Sequence, residues 1–153
     1  MSDLKARLQA DLTAAIKGRD ELTTATLRMA LAAVTTEEVA GKQARELSDD
    51  EVLRVLGREA KKRREAADAF DAGGRPQLAD RERAEGVVLE RYLPAQLSDA
   101  EVADLVRAAI AETGATTAAQ LGAVMKVVQP RAAGRVDGRR LAAEVRRQLT
   151  NGS

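Results

Sequence analysis

The segment Tyr92-Leu93-Pro94-Ala95-Gln96-Leu97-Ser98-Asp99-Ala100-Glu101 (YLPAQLSDAE, 92–101) decides how this chain is organised. Pro94 disfavours continuation of a helix arriving from upstream, because it lacks the N–H that a helical turn uses. Four residues later, Ser98 and Glu101 have capping-box spacing, in which each side chain satisfies an orphan backbone N–H of a new helix. A helix therefore stops and another starts around Leu93–Leu97. This predicts an N-terminal part at 1–93, a linker at 94–97 and a C-terminal domain at 98–150.

On either side of this break, punctuation and a 3.6-residue apolar period predict seven helices, four before it and three after. The first starts after Ser2, carries Leu4, Leu8, Leu12 and Ile16 on one stripe, and stops at Gly18. The second begins near Asp20, turns Leu27, Ala30, Leu31 and Val34 inward, and fades around Gly41. Ser48 and Glu51 form another capping box, opening a third helix through Leu53, Leu56, Ala60, Ala67 and Phe70 to Gly73-Gly74. Pro76 suits the first turn of a fourth helix, which continues through Leu78, Leu89 and Tyr92. Beyond Ser98, the fifth helix buries Val102, Leu105, Val106 and Ile110 and closes at Gly114. Thr116 or Thr117 starts the sixth, and Asp137 caps the seventh.

Composition agrees with an all-α fold. The chain has 153 residues, 44% of them apolar, with one Phe, one Tyr and no Trp, so its core must be aliphatic. Such an alanine- and charge-rich composition favours helix. Absence of Cys and His removes thiol and imidazole chemistry and ordinary zinc sites. No apolar run approaches the roughly 18 residues of a membrane span, and MSDLKARLQADL has no signal-peptide core. A cytoplasmic location is expected, without membrane, metal or cofactor.

Charge is distributed unevenly. Residues 1–97 hold 17 basic and 18 acidic side chains, and the remainder 8 and 6. From Gln120 onward there are seven Lys/Arg (Lys126, Arg131, Arg135, Arg139, Arg140, Arg146, Arg147) against two acids, Asp137 and Glu144. The stretch LGAVMKVVQPRAAGRVDGRRL (121–141) runs a helix into a loop with Arg131, Gly134 and Arg135, then opens a helix beside Arg139 and Arg140. Unpaired N–H groups at a helix start attract anions, and arginines around it make a seat for phosphate. On the last helix, Leu141, Ala142, Val145 and Leu149 share one face, and Arg139, Arg140, Arg146 and Arg147 project from the other. Two readings stand for this strip: a track for a phosphate backbone, or a solvated surface. With so few aromatics to stack on bases, an RNA partner would be recognised by shape and phosphate position.

Upstream, the third helix pairs Glu59 with Arg63, Lys61 with Glu65 and Arg64 with Asp68 at i,i+4, ordinary helix-surface spacing. Arg63 also falls on the apolar stripe, as Glu82 and Glu85 do on the fourth helix. A buried ion pair between Arg63 and one of those carboxylates is expected. Catalysis has no visible constellation. There is no His or Cys to activate a nucleophile, and Ala72-Gly73-Gly74-Arg75 is a helix break and not a phosphate-cradling loop.

Two motifs take the reading further. Arg63…Phe70-Asp71-Ala72-Gly73-Gly74-Arg75…Leu78…Glu82…Glu85…Leu89…Tyr92-Leu93-Pro94-Ala95-Gln96-Leu97-Ser98 resembles the mid-chain signature of the GatB/YqeY family. Leu121-Gly122-Ala123-Val124-Met125-Lys126, followed by Pro130-Arg131, Gly134-Arg135 and Asp137-Gly138, resembles its C-terminal signature. One departure is the doubled glycine at Gly73-Gly74, where the family more often has a single small residue. The resemblance spans almost the whole chain and implies a free-standing protein related to the tail of the B subunit of glutamine-dependent tRNA amidotransferase. That enzyme, a carbon–nitrogen ligase with glutamine as amido donor, amidates glutamate or aspartate mischarged on tRNA, and its tail contacts the tRNA.

By resemblance, Lys126, Arg131, Arg135 and Arg139 would contact RNA. Gly122, Gly134 and Gly138 would let the backbone turn or approach closely. Arg140 and Arg146 join this set from the strip on the last helix. The resemblance implies a tRNA-binding accessory protein of translation, acting with a tRNA-modifying or aminoacylation enzyme. The glutaminase and ATP-dependent core of that enzyme have no counterpart here, so ligase activity would belong to a partner. The rival reading is a helical protein–protein adaptor with no RNA role.

Overall fold

Ser2, Asp20, Ser48 and Ser98 each cap a helix start in the computed structural model, which describes residues 2–151. Seven α-helices are present among the described residues, and no strand: α1 (Asp3–Lys17), α2 (Glu21–Glu38), α3 (Asp49–Ala72), α4 (Pro76–Glu90), α5 (Asp99–Thr113), α6 (Leu121–Ala132) and α7 (Gly138–Asn151). Both capping boxes form reciprocally, Ser48 with Glu51 and Ser98 with Glu101. Pro76 opens α4 at a position whose N–H would have no helical partner. The Thr117 start gives a short 3-10 turn, Ala118–Gln120, from which α6 continues.

Two compact units result, Met1–Leu93 and Pro94–Ser153. In the first, α1 to α4 close around Leu8, Leu27, Val34, Val52, Leu56, Val88 and Leu89. The loop after α2 is held by Glu38, which is buried; its carboxylate accepts hydrogen bonds from Lys5 Nζ at 2.8 Å and the Leu47 N–H at 3.3 Å. The turn between α3 and α4 explains the doubled glycine. Gly73 ends α3, and Gly74 has a φ of +74°, a left-handed conformation that glycine adopts without steric cost. Tyr92 lies just past α4. Its hydroxyl meets Asp11 Oδ2 at 2.5 Å, and the Arg7 guanidinium sits 4.7 Å from its ring centre.

Several stripes are rotated from their expected register. Ile16 and Leu78 are exposed, at 47% and 43%, while their neighbours Ala15 and Ala79 are buried. On α3, Val52 and Val55 accompany Leu56 inward and Leu53 is only half-buried. α4 stops at Glu90, so Tyr92 belongs to the turn that follows.

In the second unit, α5, α6 and α7 pack Val102, Val106, Val124, Val128, Leu141, Val145 and Leu149 into an aliphatic core. Residues 94–97 fall within this unit. Leu97 is buried in the core, its N–H donates to the Arg135 carbonyl at 2.8 Å, and Arg135 Nε donates to the Ala95 carbonyl at 3.0 Å. The segment read as a linker is thus a strap laid on the loop between α6 and α7.

Candidate nucleic-acid interface

α7 buries Leu141, Val145 and Leu149 and leaves Arg139, Arg140, Arg146 and Arg147 exposed. The four arginines do not form an uninterrupted cationic strip. The Arg140 guanidinium pairs with the Asp99 carboxylate and also donates to the Leu97 carbonyl at 3.3 Å. Arg147 makes a two-pronged pair with Glu144, through Nη2 at 2.6 Å and Nε at 3.0 Å. Arg139 and Arg146 have no side-chain partner among the described residues. They stand seven positions apart, so they share one face and lie about 10 Å apart along the axis.

The other expected contacts divide similarly. Arg131, in the last turn of α6, pairs with Glu112 of α5. Arg135 is half-buried and turned to the Ala95 carbonyl. Lys126 is exposed on α6 and, among the described residues, has no partner. Pro130 lies inside α6. It removes the donor that would otherwise serve the Lys126 carbonyl.

The glycines differ in what requires them. Gly134 has a φ of +74° and follows Ala133, itself left-handed at +50°. The reversal after α6 therefore depends on glycine there. Gly122 and Gly138 have ordinary helical backbone, and a Cβ at either would meet no atom within 4 Å. Internal packing does not require them. Each leaves bare backbone in the first turn of a helix, α6 and α7 respectively. Asp137 caps α7 by accepting the Arg139 N–H at 2.8 Å.

The Glu144 carboxyl shows how firmly one counter-ion is held. Its hydrogen bonds to Arg147 depress its pKa to about 2, burial opposes this, and Gln148, which also donates to the Ala103 carbonyl of α5, reinforces it. A carboxylate with a depressed folded-state pKa contributes stability above its unfolded value near 4.5 and loses it as pH falls through the folded one. Acid titration of the C-terminal unit should therefore show a loss of stability between about pH 4.5 and 2 that Glu144→Gln reduces, the remainder belonging to Glu101 and Glu112, whose pKa values are also lowered. An identical acid midpoint in wild type and variant, followed by circular dichroism, would remove Glu144 from this role.

In the N-terminal unit, Arg63 is buried between helices, with Nε 3.3 Å from Glu85 Oε2 and Nη1 3.3 Å from Glu59 Oε1. Nη1 also donates to the Glu59 carbonyl at 2.9 Å. Arg81 extends the network from Glu85 to a two-pronged pair with Glu21, at 2.8 and 2.9 Å. Glu82 is half-buried and takes no part. Asp68 meets Arg83 of α4 at 3.5 Å. Glu21 was beyond the reach of sequence spacing, 60 residues from Arg81, whereas the i,i+4 spacing of Arg81 and Glu85 was a signal that could have placed Arg81 in this network.

Among the described residues no helix is long and apolar enough to cross a membrane, and no cluster of three His, Cys, Asp or Glu side chains could hold a metal ion. No match to this chain is found among curated proteins. The sequence family described as Yqey-like protein matches residues 5–149, a span that includes most of both helical units and both signature motifs, and the chain belongs to that family.

Proposed function

We propose that this protein is a cytoplasmic accessory factor of translation that docks on tRNA through its C-terminal unit. The family is related to the C-terminal region of the B subunit of the tRNA amidotransferase, and that kinship supplies the class of partner. The observation that carries the reading is the pair Arg139 and Arg146, aligned on the outer face of α7 without carboxylate partners among the described residues. Lys126 adds a third unengaged cation on α6. Gly138, which internal packing does not require, adds no side chain beside the Asp137 cap at the start of α7.

Arg131, Arg140 and Arg147 play a secondary part. Their ion pairs lie on the surface, where such pairs contribute little and compete poorly with a phosphate that accepts two parallel hydrogen bonds. Amide transfer itself resides in a catalytic partner, to which this chain brings or orients tRNA.

Salt dependence tests the reading. Arg139→Ala/Arg146→Ala should weaken binding to all tRNAs alike and flatten the dependence of log affinity on log salt by roughly 1.5–2 units. Filter binding or anisotropy across a salt series measures it. Equal affinity and equal slope for wild type and variant would refute α7 as the docking surface.

A further inference from the structure

The outer face of α2 is sparsely charged in a chain in which 32% of residues are charged. From Leu22 to Thr36, Arg28 is the one charged residue. Ala25, Met29, Ala32 and Thr36 recur at helical spacing on one side, and Val39 follows at the end of the helix. Met29 is 49% exposed and Val39 58%. Thr36 is exposed too, but its hydroxyl donates to the Ala32 carbonyl at 2.9 Å. The strip is about 20 Å long. At its N-terminal end an open groove of about 420 Å³ lies between the end of α1 and the start of α2, with Ile16 and Ala25 among its walls.

Cations outnumber free acids in the groove itself, where Asp20 at its edge is turned to Thr23 as the cap of α2. Arg19 and Arg28 line the groove, both are exposed, and neither has a side-chain partner among the described residues. Arg19 holds a left-handed backbone, φ +55°, directly after α1. Glu21, the acid in the groove wall, is engaged by Arg81 at 2.8 and 2.9 Å. The groove therefore presents two unmatched cations beside aliphatic surface.

We infer that this face of α2 docks an acidic amphipathic helix from a partner protein. The partner's apolar stripe lies along Ala25, Met29, Ala32 and Val39, an aliphatic side chain enters the groove beside Ile16, and carboxylates meet Arg19 and Arg28. Alanines at 25 and 32 let the two helix axes approach to the 8–10 Å of ordinary helix packing. RNA fits poorly, because no cation lies on the strip beyond Arg28 and nothing there stacks on a base. A second copy of α2 fits poorly as well. The acids at its far end are engaged, Glu37 by Arg58 at 3.4 Å and Glu38 by Lys5 at 2.8 Å, so self-pairing would leave the arginines unmatched.

The test uses the full chain without RNA and a labelled synthetic helix the length of α2, with leucine and alanine at every third and fourth position and glutamates flanking them. A second peptide carries lysines in place of the glutamates. The acidic peptide should bind by fluorescence anisotropy and the lysine peptide should not. Arg19→Glu/Arg28→Glu and Ala32→Asp should each weaken binding by about tenfold or more, with unchanged circular dichroism; Met29 is left in place because its Sδ accepts from Arg63 Nη2 at 3.6 Å. Arg139→Ala/Arg146→Ala should leave peptide binding intact, which separates this surface from the tRNA reading. Equal binding of the two peptides, or wild-type affinity in either α2 variant, would overturn the inference. So would a dimer in sedimentation that Ala32→Asp dissolves, or a loss of tRNA binding in Ala32→Asp, since these assign the face to a second copy or to RNA.

Discussion

Glu85→Ala should lower the melting temperature of the N-terminal unit by roughly 12 °C or more. Arg63 and Glu85 have side chains only 5% and 11% exposed. Removing one partner from a buried pair strands the other charge away from water, at about 3–5 kcal/mol. Glu59 stays beside Arg63, so the lower end of that range applies, and each kcal/mol moves the midpoint of a domain this size by about 4–8 °C. Arg63 Nε has no hydrogen-bond partner even in the intact protein, its contact with Glu85 being one of charge. The substitution thus exposes an arginine that is already imperfectly satisfied. Arg63→Glu should be worse, placing a third acid beside Glu59 and Glu85. In contrast, Arg63→Met/Glu85→Leu should melt close to wild type, because replacing both charges removes the desolvation cost with the attraction. Glu82→Ala, outside the network, should change little. Calorimetry checks all four, and a Glu85→Ala midpoint within about 2 °C of wild type would show that the pair contributes little to stability.

The second large effect is expected in the C-terminal unit. Leu141 is 1% exposed at the heart of the α5–α7 core. Leu141→Ala should cost about 2–5 kcal/mol through lost burial and the cavity left behind. A unit of about 60 residues has a total stability of only about 3–9 kcal/mol, so the loss approaches the whole margin. Amides of α5, α6 and α7 should then exchange with solvent at nearly unprotected rates. Leu105→Ala, at a half-buried position, should retain most protection. Slow exchange persisting in Leu141→Ala would mean that the core can collapse around the gap.

Local chemistry explains why so much of the architecture could be read from sequence. Ser48–Glu51 and Ser98–Glu101 are three-residue patterns whose hydrogen bonds depend on nothing distant, and both formed as expected. Gly18, Gly114 and Pro76 act equally locally at helix ends. Packing registers were less legible. Ile16 continues the α1 leucine stripe, yet near the helix end no neighbour covers it and Ala15 takes the inner place. The interface was the least legible part. Sequence displays seven cations near the carboxyl end but not which acids the fold delivers to them. Glu112 reaches Arg131 from 19 residues away and Asp99 reaches Arg140 from 41. Only Glu144–Arg147, at i,i+3, lay within reach of spacing rules.

With Trp absent, Phe70 a weak emitter and Tyr92 the single tyrosine, ultraviolet emission from this chain comes chiefly from one ring. That ring reports on the unit built from α1 to α4, through its bond to Asp11 and its contact with Arg7. The second unit is optically silent. Quenching or brightening on addition of a ligand is therefore a signal from the N-terminal half alone, obtained without labelling or mutating the protein.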